Sequence, residues 1–301
     1  MIKVCINRKP VEGPWGGGNL FVRAFCDVIK SMGNEVVHKL DNNLDFIFMQ
    51  DPRYSDLRIS ANEIIEYKHK NPNTKVIHRV NECDARKGTN GMDKLLRECS
   101  QYTDHTIFVS EWMRQYHLKK GWGCDSTSVV YNGVNLEHFR ICDKIENGKV
   151  NIVTHHWSDN PLKGADVYDA LDRWVGDIDD FTFTYIGRYS RLFKNSKLIP
   201  PLTGQALGDE LGKYDIYVSG SKFDPGPNHV IESIAAGLPT LVHQDGGGAV
   251  EFSGKQNCYS TIEDLIRLLK NIPKDSNHIH DLKPYSWQAC IEKVISILVL
   301  L

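Results

Sequence analysis

One stretch of the chain, residues 219–251, constrains the fold more than any other. A short apolar strand over residues 214–218 leads into a loop, and an amphipathic helix over residues 228–236 follows and stops at Gly237. A second strand, residues 240–243, then runs into a glycine-rich loop. This order predicts a doubly wound parallel sheet, whose ligands bind where the strands end. The positive end of the helix dipole at that edge favours a phosphate.

Two carboxylates bracket the start of this helix, because Asp224 and Glu232 are separated by seven residues. After them come Ala236-Gly237-Leu238-Pro239, the pair Gly247-Gly248 and Glu251. This pattern resembles the donor-binding signature of the retaining glycosyltransferases of family 4, which have the two-domain GT-B fold.

The resemblance assigns roles to these residues. It implies that Asp224 contacts the sugar of a nucleotide-sugar donor, that Glu232 binds the ribose hydroxyls, and that the helix N-terminus holds the diphosphate. The family has Glu where this chain has the shorter Asp224. The family's loop glycine falls on Pro227, which has no N–H. We therefore expect the amides of Asn228 and His229 to be the donors.

The family also holds the diphosphate with an Arg and, six residues later, a Lys-Gly pair. Lys163-Gly164 matches the second element, whereas the Arg position falls on Trp157. Arg188, His155 and His156 are the candidates to replace this missing cation. The adjacent histidines also allow a metal site, but no third ligand has a diagnostic spacing, so we expect no metal.

The N-terminal segment has the order strand (residues 2–7), glycine-rich loop, helix (20–32), strand (35–38). The dinucleotide spacing G-x-G-x-x-G is absent, which argues against hydride transfer. The resemblance implies that Gly17 and Gly18 face the donor phosphates across the cleft. The alternative is a plain tight turn.

Polar residues follow two further predicted strands, residues 45–49 and 75–78. By resemblance, a polar side chain after the second strand points at the reacting sugar, and His78 or Arg79 fills that role. The further acceptor-side candidates are Asp51, Asn81 and Asp84. For each of them, an ordinary surface ion pair is an equally good interpretation.

The chain of 301 residues has room for two domains. We predict an α/β chain of the GT-B fold with two Rossmann-like, doubly wound domains facing across a cleft. Residues 1–140 form an acceptor-side domain to which a C-terminal helix, 285–301, returns. Residues 141–149 form a linker, and residues 150–284 bind the nucleotide sugar.

Composition excludes several classes of function. A net charge of −2 gives no broad nucleic-acid footprint, and eight scattered cysteines argue against a disulfide framework. No apolar run approaches the ~20 residues that span a bilayer, and the N-terminus does not resemble a signal peptide. We therefore expect a cytoplasmic protein without membrane contact.

The predicted activity is transfer of a hexose from a UDP- or GDP-sugar to a hydroxyl of a glycan or glycoprotein, with retention and without a metal or other cofactor. The predicted catalytic residues are Asp224, Lys163, His78 and Arg79.

Two alternatives to this function remain open. One is another GT-B enzyme, such as a sugar-nucleotide epimerase or a phosphorylase. The other is a catalytically inactive nucleotide-sugar-binding or scaffold protein, which Trp157, Asp224 and Pro227 would favour.

Overall fold

The computed structural model of the chain describes residues 1–13, 16–55, 58–273, 276–277 and 279–301. The chain divides into two compact units. Residues 1–133 and 287–301 form the first unit, and residues 134–286 form the second. The chain therefore leaves the first unit once, builds the whole of the second, and returns.

The described residues of the first unit form a six-stranded parallel sheet with the order β2-β1-β3-β4-β5-β6. The strands are β1 (Lys3–Ile6), β2 (Glu35–Val37), β3 (Phe46–Met49), β4 (Lys75–Val80), β5 (His105–Phe108) and β6 (Thr127–Val129). The helices are α1 (Gly17–Ser31), α2 (Ala61–Lys70), α3 (Asp84–Lys87), α4 (Met92–Ser100), α5 (Glu111–Leu118) and a C-terminal helix (Trp287–Leu300).

Both faces of this sheet are covered, and its central strand β3 is accordingly apolar and buried along its whole length. On one face α1 and the C-terminal helix pack over a stack of aromatic rings formed by Phe21, Phe25 and Phe48, with centroids 4.7 to 5.8 Å apart. Ile291 and Val294 of the C-terminal helix are fully buried in the same cluster. The C-terminal helix is thus part of the core of the first unit.

The described residues of the second unit form another six-stranded parallel sheet, with the order β12-β11-β10-β7-β8-β9. The strands are β7 (Val150–His156), β8 (Phe181–Gly187), β9 (Lys197–Ile199), β10 (Ile216–Ser219), β11 (Thr240–His243) and β12 (Cys258–Tyr259). The helices are α6 (Ala165–Gly176), α7 (Gly204–Leu211), α8 (Asn228–Ala235), α9 (Ala249–Ser253) and α10 (Ile262–Asn271).

Each sheet has a switch point at which the strand order reverses. In the first unit it lies between β1 and β3, and in the second between β7 and β10. The helices that follow β7 and β10 leave on opposite sides, which opens a crevice at the carboxyl ends of these two strands. The topology therefore marks the end of β7 and the loop after β10 as the place for a ligand in the second unit.

Two strands are longer than the sequence predicted, and both extend through polar residues. β4 continues through Arg79 and Val80, which pair with Ile107 and Phe108 of β5. β7 continues through His155 and His156, which pair with β8. In both strands the polar side chains find hydrogen-bonding or aromatic partners inside the fold, so they do not end the strand.

Residues 141–149, which the sequence predicts as a linker, lie within the second unit. Lys144 Nζ donates to the carbonyls of Gly212 and Tyr214, at 3.1 and 2.5 Å. The amide of Ile145 donates to the carbonyl of Lys213 at 3.0 Å. The polar composition of this segment predicts a linker. In the structure, its backbone and Lys144 are hydrogen-bonded to the residues that follow α7.

All eight cysteines lie in the described ranges and are free. Among the described residues, no helix has both the length and the apolar composition that crossing a membrane requires.

Candidate functional site

The site in the second unit begins with two loops that touch at the switch point. One follows β7 and ends in a short 3₁₀ turn, Pro161–Lys163, capped by the Asn160 side chain. The other follows β10, and its Lys222 amide donates to the carbonyl of Leu162 at 2.9 Å. Because the two loops are bonded to each other, the side chains that they carry are held at a fixed separation.

Glycine is required where these loops cross. Gly164 has a φ of +101°, and a Cβ at this position would lie 2.4 Å from the Cα of Gly220. Any side chain would therefore push the two loops apart, in addition to straining the backbone. Gly164 permits the close approach that brings Lys163 to the second loop. Both residues of the Lys-Gly pair therefore contribute to the site.

Lys163 meets Asp224 at this crossing. Its ammonium nitrogen lies 2.9 Å from Oδ2 of Asp224, and the two side chains are only 17% and 8% exposed. The backbone of Asp224 is held by the glycine run: Gly248 N donates to its carbonyl at 2.9 Å, and its own amide donates to Gly246 at 3.3 Å. The fold therefore brings together Lys163 and Asp224, which the sequence predicts separately as site residues.

Glu232 and His155 form a second polar contact at the same edge. Glu232 lies in the second turn of α8, and its Oε2 is 2.9 Å from Nε2 of His155 at the end of β7. Tyr217 of β10 packs edge-on against the imidazole with a centroid separation of 5.5 Å. Burial raises the pKa of Tyr217 well above its ordinary value, so its hydroxyl stays neutral beside this pair.

His156 has a different partner from its neighbour. Its Nε2 lies 2.6 Å from the hydroxyl of Tyr168, and that hydroxyl also accepts the amide N–H of Gly220 at 2.9 Å. The two adjacent histidines therefore do not converge on one point. Among the described residues, no group of three His, Cys, Asp or Glu side chains is arranged to hold a metal ion.

The N-terminus of α8 lies directly after the loop that carries Asp224. Pro227 precedes the first helical residue, Asn228, in an extended conformation. His229 is buried, and its Nε2 lies 2.8 Å from the hydroxyl of Ser219 at the end of β10. This bond ties the first turn of α8 to the sheet, so the positive end of the helix faces the same edge as Lys163.

The cation that the family pattern requires is absent from its usual position. Trp157 occupies that position directly after β7 and is 42% exposed. Arg188 follows β8, is exposed, and its amide donates to the carbonyl of His156 at 3.1 Å. The backbone of Arg188 is therefore bonded to the last residue of β7, directly before Trp157.

In the first unit, Gly17 and Gly18 form the first turn of α1 instead of the loop before it. A Cβ on Gly18 would lie 3.2 Å from Nδ2 of Asn81 and 3.3 Å from Nε2 of Gln50. Asn81 thus lies beside Gly18, at the start of the helix that leaves β1. Residues 14 and 15 of the glycine-rich loop lie outside the described residues.

His78, the last residue of the predicted strand, and Arg79, which was predicted to follow it, are both buried inside β4. Arg79 is 1% exposed; it donates to Gln50 at 3.2 Å and to Asn132, and its guanidinium carbon lies 3.9 Å from the ring centre of Phe21. His78 is fully buried, and burial lowers its pKa to about 3. Neither side chain presents a polar atom at the surface of the unit.

The remaining acceptor-side candidates have structural partners. Four groups donate to the carboxylate of Asp84, namely the amides of Gly91, Met92 and Asp93 and the hydroxyl of Thr89, so Asp84 caps the N-terminus of α4. Asp51 is paired with Arg53, at 2.8 Å, and with Arg58. Burial opposes ionisation of Asp51, but these arginines outweigh it and keep the pKa of its carboxyl below the ordinary value.

Sequence reasoning missed three contributors to the second-unit site. Tyr168, Ser219 and Gly220 connect the ends of β7 and β10 through hydrogen bonds. Tyr168 lies on the buried face of α6, where an aromatic residue indicates core packing. Only the contacts in the folded chain show that its hydroxyl belongs to the site.

The fold is shared with solved glycosyltransferases. No protein-family model and no curated protein sequence matches the chain. Among the solved structures that match, HepE of Anabaena in complex with UDP aligns over 100% of both chains, with a TM-score of 0.73 and 11% identity. Sucrose-phosphate synthase of Thermosynechococcus elongatus covers 99% of this chain and 98% of its own, with a TM-score of 0.70 and 13% identity.

A third match is the lipopolysaccharide outer core galactosyltransferase WaaB in its apo form, which aligns over 100% of both chains with a TM-score of 0.71 and 12% identity. These structures are glycosyltransferases of the GT-B fold. The chain therefore has the GT-B fold, which confirms the fold predicted from the sequence.

Proposed function

We propose that this protein is a retaining glycosyltransferase that transfers a hexose from a nucleoside-diphosphate sugar to a hydroxyl of a glycan or glycoprotein. The observation that carries the proposal is the gathering of Lys163, Asp224, Glu232 and the first turn of α8 at the switch point of the second sheet. The sequence signature gives each of these groups a role in binding a nucleotide sugar, and the fold brings them to the edge where such a sheet binds ligands.

The chemistry of these groups suits a departing diphosphate. Breaking the bond between the anomeric carbon and the phosphate oxygen leaves negative charge on the diphosphate. Lys163 supplies a positive charge, and the start of α8 supplies aligned backbone dipoles. The acceptor oxygen then bonds to the anomeric carbon on the same face, and its proton passes to the departing phosphate. Asp224 orients the sugar, and Glu232 binds the ribose.

One structural relative supports uridine as the base. HepE has been solved in complex with UDP and with UDP-glucose, and both structures align with the whole of this chain. We therefore propose a UDP-hexose donor ahead of a GDP-hexose. Arg188 is the proposed second cation, because its backbone is bonded to the carbonyl of His156, directly before the position where the family has Arg.

Calorimetric titration with UDP-, GDP- and ADP-sugars tests this proposal. We expect one nucleotide class to bind and Glu232→Ala to weaken that binding severely, by roughly 10- to 100-fold, while the protein stays folded. Glu146→Ala, which changes an exposed carboxylate elsewhere in the same unit, is the matched control and should bind like the wild type. Near-normal donor affinity in Glu232→Ala would refute the role of Glu232, and no binding by the wild type would refute the proposal.

A second assay separates transfer from binding alone. Release of UDP in the presence of a panel of glycans supports a transferase, and turnover of the donor without an acceptor supports an epimerase. The exposed Trp157 in place of a cation is the specific feature that favours a protein that binds without catalysing transfer. Donor binding without either reaction supports that second function.

A further inference from the structure

The contact between His155 and Glu232 leaves one carboxylate oxygen for a ligand. Nε2 of His155 lies 2.9 Å from Oε2 of Glu232, and the two side chains are 9% and 13% exposed. In the described part of the chain, Oε2 is the Glu232 oxygen that meets a protein group, and Oε1 has no protein hydrogen bond. The histidine therefore holds one end of the carboxylate and leaves the other end available.

The bond also fixes which nitrogen of His155 carries a proton. An ionised carboxylate only accepts hydrogen bonds, so the imidazole must donate from Nε2. Nδ1 is buried, and no described group is its hydrogen-bond partner. The ring is held from the other side by Tyr217 of β10, whose hydroxyl also accepts the amide N–H of His155 at 3.2 Å. The position of Nε2, the hydrogen-bond donor to Glu232, is thus fixed by β7 and β10.

This histidine is not part of the signature from which the function was inferred. The signature supplies Glu232 from α8, whereas His155 comes from the end of β7, on the other side of the switch point. A glutamate in the second turn of a helix has several rotamers, and binding a diol requires one of them. A hydrogen-bond donor on a buried strand selects that rotamer of the glutamate before the ligand binds.

We propose that His155 is a positioning residue for nucleotide binding, which holds Oε2 of Glu232 so that Oε1 meets the 2′- and 3′-hydroxyls of the ribose. This inference rests on the proposed function, since it takes the ligand to be a nucleoside diphosphate. It adds a specific requirement: a hydrogen-bond donor at the position of Nε2, and not merely a polar or planar side chain at residue 155.

Two substitutions separate this role from ordinary packing. His155→Gln keeps an N–H about as far from the backbone as Nε2, and His155→Asn places its N–H near the position of Nδ1, too short to reach Glu232. Both are neutral amides, so the pair differs in reach and not in chemistry. Thermal unfolding of both variants first establishes that each is folded.

The ligands are UDP and 2′,3′-dideoxy-UDP, titrated by calorimetry into the wild type, both His155 variants and Glu232→Ala. The wild type should bind UDP roughly 10- to 100-fold more tightly than the dideoxy analogue, as expected for hydrogen bonds to a charged group. His155→Gln should keep most of this preference. His155→Asn and Glu232→Ala should both lose it, while all four proteins bind the dideoxy analogue similarly.

The outcomes distinguish the positioning role of His155 from the proposed nucleotide-binding function on which it rests. An undiminished preference for UDP in a folded His155→Asn variant overturns the positioning role and leaves the nucleotide site standing. A preference for UDP that is lost equally in the Gln and Asn variants also overturns the positioning role, because the distance of the N–H from the backbone would then have no effect. A wild type that binds neither ligand refutes the nucleotide site itself, and with it the role of His155.

Discussion

The ammonium of Lys163 lies 2.9 Å from the carboxylate of Asp224, and the two residues come from loops that are 61 positions apart. Both side chains are largely buried, so each neutralises a charge that would be costly alone. The same two residues are the proposed contacts for the diphosphate and the sugar of the donor. A group used for binding is therefore also needed for stability, and experiments on either residue must separate the two effects.

Lys163→Met should destabilise the second unit, because it leaves the carboxylate of Asp224 buried without its cation. Breaking such a pair costs about 3 kcal/mol, at the low end of the usual range because Lys163 is partly exposed. Chemical denaturation measures the loss. The double variant Lys163→Met/Asp224→Asn should recover most of it, since the buried charge is then gone. No recovery would show that the lysine stabilises by packing instead of by pairing.

Trp157→Arg should strengthen binding of UDP, because it returns a cation to the position at which the family pattern has one. A hydrogen bond between charged groups contributes about 1.5 to 3 kcal/mol, which corresponds to a gain of roughly 10-fold or more. Calorimetry with UDP and with uridine measures it, and uridine, which lacks phosphates, should show no gain. The gain is expected in addition to the contribution of Arg188, whose change to Ala should lower UDP affinity in the wild type. An unchanged UDP affinity in Trp157→Arg would contradict the prediction.

Gly164→Ala should be severely destabilising, because the new methyl group would lie 2.4 Å from Gly220 on a backbone with φ of +101°. Strain and overpacking together cost about 3 to 5 kcal/mol. Gly148→Ala is the matched control: its φ is +73°, and no atom lies within 4 Å of the added methyl group. It should cost about 1 kcal/mol, for backbone strain alone. Equal losses in the two variants would contradict the close crossing of the loops.

The stability of the protein should fall as the pH drops below 6.5, and His78 should account for much of this fall. Burial lowers its pKa from 6.5 to about 3 in the folded chain, so between these values the unfolded chain binds the extra proton. The contribution of His78 is complete above pH 6.5 and is lost as the pH falls towards 3. At about 1.4 kcal/mol per pKa unit, it amounts to on the order of 5 kcal/mol.

Denaturation of His78→Phe across this pH range measures that contribution. The phenyl ring fills a similar volume beside Trp122, whose ring centre lies 6.1 Å from that of His78, and it cannot be protonated. The variant should show a flatter acid limb than the wild type. His69→Gln, which removes an exposed histidine from α2 in the same unit, should keep the wild-type slope. An unchanged slope in His78→Phe would rule out His78 as the cause.

The sequence predicted elements best where local signals and tertiary contacts agree. The strand over residues 240–243 has the predicted bounds, and α8 begins at Asn228 as predicted and ends one residue early. Apolar periodicity and Gly237 were sufficient to predict the bounds of these two elements. α1 begins three residues earlier than predicted, at Gly17, because glycines that favour loops also fit a first helical turn packed beside Gln50 and Asn81.

Sequence reasoning failed where a polar residue has a distant partner. The sequence predicts Arg79 after the strand, at the head of a run of polar residues, yet Asn132, 53 residues away, accepts its hydrogen bond. His155 was proposed only as a substitute cation, since its contact with Glu232 spans 77 residues. Such pairings leave no trace in local composition, and a single sequence cannot reveal them.

The place of the C-terminal helix in the first unit has a consequence for how the chain folds during synthesis. Domains usually fold as units, with the N-terminal one first, while the ribosome is still translating the rest. Here the apolar layer beneath Phe21 and Phe25 lacks Ile291 and Val294 until the helix Trp287–Leu300 has been synthesised. The first unit therefore completes its core only after the second unit has been synthesised, and a nascent chain stopped before Trp287 exposes that layer to chaperones and proteases.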